Sequence, residues 1–289
     1  MLIKDEMLRG AIARALRITE DKITKEEMKK LIRLSARSCG IVSLEGLEYA
    51  ENLTYLDLCA NAIEDLTPIK GLREIEYLNV SKNMLRDIQA LRDFRQLVRL
   101  DLSRNNLYTM DISALAGMYN LEELNLERCK VDNLMYLENV KKLKRLHVGI
   151  ENGPFPLSIL GMLDNLVEVH MNKMWLYDIA DLTYLKKIEV LDLSTNLFRD
   201  LSPLQYMKQT LRSLNLTNNM YLHDLSMLKE FSNLEILEIS YDSVDDFSFL
   251  KELKNLKELR ATESNLCDMR YLHGLTKLEK LDVSSNRLI

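Results

Sequence analysis

Glycine is scarce in this sequence, nine residues of 289, and nowhere forms a Gly-rich phosphate loop. There is no G-x-S-x-G elbow and no kinase motif set, so nothing points to nucleotide or acyl-transfer chemistry. Cysteine is equally sparse. Cys39, Cys59, Cys129 and Cys267 include no pair at C-x-x-C spacing and are too few for a disulfide-built domain, so reduced thiols are expected. No apolar run reaches the ~18 residues of a membrane-spanning helix. The opening MLIKDEMLRG has no apolar stretch behind a basic one and does not read as a signal peptide. Positive charge is not in excess: 39 Lys and Arg stand against 44 Asp and Glu, a net charge of -5. That balance argues against a large nucleic-acid footprint and gives no reason to expect a basic membrane-surface patch. Hydrophobic residues make up 47%, which is the composition of a folded globular chain.

What is present is a repeat. The pattern L-x-x-L-x-L-x-x-N-x-L recurs about every 22 residues: Leu53, Leu56, Leu58, Asn61, Ile63, then Ile75, Leu78, Val80, Asn83, Leu85, then Leu97, Leu100, Leu102, Asn105, Leu107. Further copies begin at Leu121, Leu143, Leu166, Ile188, Leu211, Leu234, Leu256 and Leu278, and a degenerate one at Leu31, giving twelve coils. Positions 4 and 6 alternate with polar positions, the period of a half-buried strand. Each coil therefore contributes one short strand to a parallel stack. The position-9 Asn turns inward, where its amide can satisfy backbone groups of neighbouring coils. Cys39 and Cys129 occupy the same slot and read as structural; Glu151, Met174, Asp242 and Ser264 also depart from Asn there. The return stretches, such as Asp65-Leu66-Thr67-Pro68-Ile69 and Asp200-Leu201-Ser202-Pro203-Leu204, favour tight turns and short 3₁₀ pieces. The expected fold is an α/β solenoid: a right-handed leucine-rich-repeat superhelix with a parallel concave β-sheet, short 3₁₀ convex segments and an α-helical N-terminal cap.

The ends differ from the middle. Leu8, Ile12, Ala15 and Leu16 lie at helical spacing, predicting a helix from about Asp5 to Leu16. Thr24-Lys25-Glu26-Glu27 is a capping box, predicted to start a second helix that turns Met28, Leu31 and Ile32 towards the first coil. The cap spans residues 1–30 and the repeats 31–289, forming one domain. The sequence ends inside coil twelve, so Leu281, Val283 and Leu288 should lack an apolar cover. Three readings stay open for that edge: a chain cut from a longer protein, pairing with another chain, or a weak natural end.

The helical stretch Leu8 to Leu16, Ile23-Thr24, the segment from Gly40 to Tyr49, Asn52-Leu53-Thr54 and Asp65 to Ile69 resemble the cap and first repeats of internalins, the bacterial surface leucine-rich-repeat proteins. The later coils are similar in repeat length and turn chemistry. The resemblance implies a curved solenoid whose concave sheet binds a host or neighbouring bacterial protein, on a secreted or cell-surface protein. The domain that closes the C-terminal end of internalins is missing from this sequence. The alternative is a cytoplasmic regulatory scaffold, similar to the 22-residue-repeat proteins that hold a phosphatase subunit.

Positions 3, 5, 7 and 8 of each coil are expected to face away from the core. Coils six and seven stand out, because only there do histidines, His147 and His170, fill neighbouring position-5 slots. The only tryptophan, Trp175, follows at position 10, and coil six carries the irregular insertion Glu151-Asn152-Gly153-Pro154-Phe155-Pro156. Aromatic and Arg residues dominate interface energetics, so the centre of partner binding is placed at Arg145, His147, Glu168, His170, Asn172 and Trp175, with Asp192 and Tyr241 further along. A competing reading packs Trp175 on the insertion as a structural residue. A metal would find His147 and His170 with only Glu168 as an obvious third ligand, too few for a protein-built site. No cofactor, metal or catalytic group is expected, and the partner is a protein.

Overall fold

The computed structural model describes residues 1–105, 111–150 and 155–288. Leu107, Glu151 to Pro154 of the insertion and Ile289 lie outside them. The chain divides within coil six into two compact units, Met1–His147 and, with Val148–Ile150, the described residues that follow.

The first unit opens on α1 (Glu6–Leu16), α2 (Lys25–Met28) and six strands: β1 (Arg33–Ser35), β2 (Tyr55–Asp57), β3 (Tyr77–Asn79), β4 (Arg99–Asp101), β5 (Glu123–Asn125) and β6 (Arg145–His147). Each strand pairs in parallel with the next, position for position. Leu8, Ile12, Met28 and Leu31 are buried, so the cap covers the apolar end of the first coil. Asp5 fastens it. One carboxylate oxygen caps α1 by accepting the Leu8 N–H at 2.9 Å, and the other accepts the Val42 and Ser43 N–H groups at 2.8 and 3.1 Å. Thr24 caps α2 by accepting the Glu27 N–H at 3.2 Å. The prediction for Ile32 is corrected: it is 48% exposed. The helix stops at Met28 and the chain then extends into β1, whose alternation sends Leu31 inward and Ile32 outward.

The second unit repeats the pattern in β7 (Glu168–His170), β8 (Val190–Asp192), β9 (Ser213–Asn215), β10 (Ile236–Glu238), β11 (Glu258–Arg260) and β12 (Lys280–Asp282), again paired in parallel order. In both units the return segments are short 3₁₀ pieces such as Thr67–Ile69 and Ser202–Met207. Except for Leu47–Tyr49 and Leu157–Met162, each follows an Asp or Asn that accepts the N–H two residues on, as Asp65 does from Thr67 and Asp200 from Ser202. Leu281 is 43% exposed, whereas the equivalent Leu259 is fully buried.

The position-9 rungs hold the coils together. Asn196 accepts the Met174 and Leu176 N–H groups through Oδ1, both at 3.1 Å, and donates through Nδ2 to the Met171 and Leu193 carbonyls at 2.9 and 2.8 Å. Asn61, Asn83 and Asn105 repeat this in the first unit. Cys129 substitutes by donating its thiol to the Leu102 carbonyl at 3.1 Å. Burial pushes that thiol up to about 12, so it stays protonated and inert. All four cysteines are free.

Candidate functional site

The strand face is more structured than the period of two implies. At position 5, an Asp or Asn accepts the position-7 N–H of its own coil: Asp57 from Cys59, Asn79 from Ser81, Asp101 from Ser103, Asn125 from Glu127, Asp192 from Ser194 and Asn215 from Thr217, at 2.9–3.2 Å. These side chains cap the strand ends. Position 7 is consequently not a free outward position, as the alternation predicted: Cys59, Ser81, Ser103 and Ser240 are buried. Position 8 then turns left-handed in every coil, with φ of 50–60° from Ser38 to Ser285 and no glycine among the twelve. That turn ends the strand and drops position 9 into the core.

Within the first unit, position-3 side chains of neighbouring strands join in two groups. Arg33 lies 3.9 Å over the Tyr55 ring, and Tyr55 stacks on Tyr77 with centroids 4.3 Å apart and planes within 9°. Arg99 then meets Glu123 at 3.1 Å, and Arg145 binds the same carboxylate oxygen. A hollow of about 240 Å³ runs beside it, lined by Tyr77, Arg99, Asp101, Glu123, Arg145 and His147 among others. The sequence places Tyr55 among the outward-facing residues but not beside Tyr77; reading position 3 down the coils, where both stand, is the signal for the stack. Arg37 reaches the buried Asp57 at 2.9 Å.

Of the predicted binding residues, Arg145 and His147 belong to the first unit and the other six to the second. There, three come together. His170 is held between Glu168, at 2.9 Å from Nε2, and Asp192, at 3.6 Å from Nδ1. Burial opposes the imidazolium, but the carboxylates of Asp192 and Glu168 outweigh it and raise the His170 pKa. Burial likewise opposes the Asp192 charge, and His170 and the Ser194 N–H overcome it and lower that pKa. The arrangement is a half-buried ion triad that charges further as pH falls.

The other three are dispersed. Asn172 packs over Gly149, where any Cβ would collide with its Oδ1, which has no hydrogen-bond partner. Trp175 sits apart from the triad in a cleft of about 310 Å³ with Phe155, Pro156, Tyr177 and Asp181. It borders the described end of the insertion yet is 62% exposed, so the packing is partial. Its φ of 58° aims the flanking Met174 and Leu176 N–H groups at Asn196. Tyr241, 54% exposed, follows β10, two strands on from Asp192.

The comparisons with known proteins agree with this geometry. The family description Leucine rich repeat matches residues 51–107. Over 99% of this chain and 84% of its own, an internalin from Listeria monocytogenes, InlF, superposes with a TM-score of 0.89 at 29% identity. The fold is that of an internalin-type leucine-rich-repeat protein. A second Listeria internalin, InlC2, covers 83% of the chain and 95% of its own length at 27% identity and a TM-score of 0.61. A leucine-rich-repeat protein of Leptospira interrogans shares the fold at 23% identity, covering 92% of this chain and 70% of its own, with a TM-score of 0.77. No curated protein sequence matches. Solenoids of this internalin type expose long strand faces of the kind on which partner proteins bind. Among the described residues no helix is long and apolar enough to cross a membrane.

Proposed function

We propose that this chain is a protein-recognition module that binds a partner protein on its strand face, as part of a bacterial surface or secreted internalin-like protein acting in adhesion. The observation that carries the reading is preorganisation. Strand-face side chains are fixed by one another before any partner arrives, in the Arg33–Tyr55–Tyr77 stack, the Arg99–Glu123–Arg145 bridge and the Glu168–His170–Asp192 triad. Side chains already held in one geometry lose little entropy on binding. The faces are long and shallow, which suits a macromolecule better than a small substrate. The resemblance to internalins supports the bacterial surface setting.

Capture of partners from host-cell or bacterial extract by the immobilised chain tests the reading, with His170→Ala, Trp175→Ala and the Tyr55→Ala/Tyr77→Ala pair compared against the parent. Loss of a specific captured protein with unchanged thermal stability is expected. Unchanged capture by all three variants contradicts the strand face as the binding surface. A second reading, a scaffold in a reducing compartment, is favoured by the four free cysteines. Capture confined to cytoplasmic regulatory proteins supports it over the first.

A further inference from the structure

Position 8 of coils three, four and five carries three consecutive cations, Lys82, Arg104 and Arg128, all in the left-handed region. The Lys82 N–H donates to the Ser103 carbonyl and the Arg104 N–H to the Glu127 carbonyl, each at 2.8 Å. The three residues therefore stand on successive coils, about 4.8 Å apart. Among the described residues none of the three takes part in an ion pair. Several other strand-face cations do: Arg37 with Asp57, Arg99 and Arg145 with Glu123, Arg260 with Glu238 and Glu258. Lys82 and Arg104 are exposed, whereas the strand-face carboxylates of coils four and five, Asp101, Glu123 and Glu127, are half-buried. Asp101 is already committed to the Ser103 N–H. Three consecutive position-8 cations thus stand together on a chain whose net charge is -5.

Arg128 adds an independent observation. Its Nε is buried and has no hydrogen-bond partner. A desolvated guanidinium donor left unpaired is unfavourable, and an acceptor that reaches it relieves that penalty.

We propose that the Lys82–Arg104–Arg128 column binds an acidic, extended polypeptide segment of the partner. This rests on the protein-recognition reading and names the chemistry of what is recognised. Three cations spread in line over about 10 Å do not converge on one small anion. Alternate side chains of an extended peptide project on one side about 6.6 Å apart, a spacing that long Lys and Arg side chains can follow. Arg104 and Arg128 suit carboxylates, which a guanidinium grips in two places.

The experiment uses the full chain and a fluorescein-labelled peptide of alternating Glu and Gly, read by fluorescence anisotropy. A Gln–Gly peptide, sodium sulfate and a sulfated oligosaccharide serve as competitors. Binding of the Glu–Gly peptide is expected to weaken at least about ten-fold in K82Q/R104Q/R128Q and several-fold in R128K, which keeps the charge but loses the fork. Lys208→Gln, which removes a cation paired with Glu230, should bind as the parent does. The K82Q/R104Q double variant changes only exposed side chains, and a several-fold loss is expected there even if the half-buried Arg128 position proves intolerant. Equal binding by both multiple variants overturns the proposal, as does equal loss in K208Q or equal binding of the Gln–Gly peptide. Complete displacement by sulfate at matched charge, or tighter binding of the sulfated sugar, also overturns it in favour of a general anion site. Failure here with strand-face capture intact removes the basic column and leaves the recognition function standing.

Discussion

Asp242 stands beside Asn219 in the position-9 ladder, its Oδ1 accepting the Asn219 N–H at 2.6 Å while its Oδ2 is buried with no partner. In the Asn rungs the corresponding atom is Nδ2, which donates to two position-6 carbonyls. A carboxylate cannot donate, and desolvation pushes Asp242 up to about 7 against the relief given by the Asn219 N–H.

The sign of the consequence follows from linkage. The folded chain holds this proton up to about pH 7, while the unfolded carboxyl releases it near 3.8. The neutral acid's contribution is therefore complete at low pH and declines as pH rises from about 4 through 7. The loss is on the order of 4 kcal/mol at full ionisation. Asp242→Asn should melt higher than the parent at neutral and alkaline pH, with the gap closing in mild acid. Thermal denaturation of both proteins across pH checks this; a gap that is constant with pH contradicts it.

His170 should titrate above its ordinary value near 6.5. Its contribution to stability is then present below about pH 6.5 and lost as pH rises through the higher folded value. Glu168→Gln and Asp192→Asn should each lower the His170 pKa, which NMR titration of the ring protons resolves. An unchanged pKa in both variants rules out the triad.

Asn196→Ala should cost about 3 kcal/mol or more. It leaves the Met174 and Leu176 N–H groups and one bond to each of the Met171 and Leu193 carbonyls unmet, at roughly 1 kcal/mol each. Urea denaturation measures it. A loss below about 1 kcal/mol would mean that the ladder is not what holds the coils.

The repeat was legible because its period is written in leucines and asparagines that the core itself demands, and the same logic located α1 from Leu8 and Ile12. The strand face was harder. Position 8 is left-handed even where it is Lys82, Arg104 or Tyr241, residues that give no glycine signal. Asp5 reads as a helix cap, yet its second task on Val42 and Ser43 depends on how the chain returns 37 and 38 residues later. At the candidate site the histidines stand out by filling neighbouring position-5 slots, and the structure gives His170 two carboxylates. Trp175 stands out as the only tryptophan, but its left-handed backbone carries it into a separate cleft.

Because Trp175 is largely exposed, Trp175→Ala should change stability by less than about 1 kcal/mol. Acrylamide should quench its emission readily in the parent. A blue-shifted, quench-resistant signal together with a large loss of stability would make it a packing residue.

The most direct test of the central claim is site-specific photo-crosslinking in the presence of candidate partner proteins. One reactive group is placed on the strand face at Ser213 and the other on the 3₁₀ side at Tyr184, which is 60% exposed. Recognition by the strand face requires a discrete crosslinked partner from Ser213 and none from Tyr184. The reverse pattern, or equal labelling from both, would contradict it.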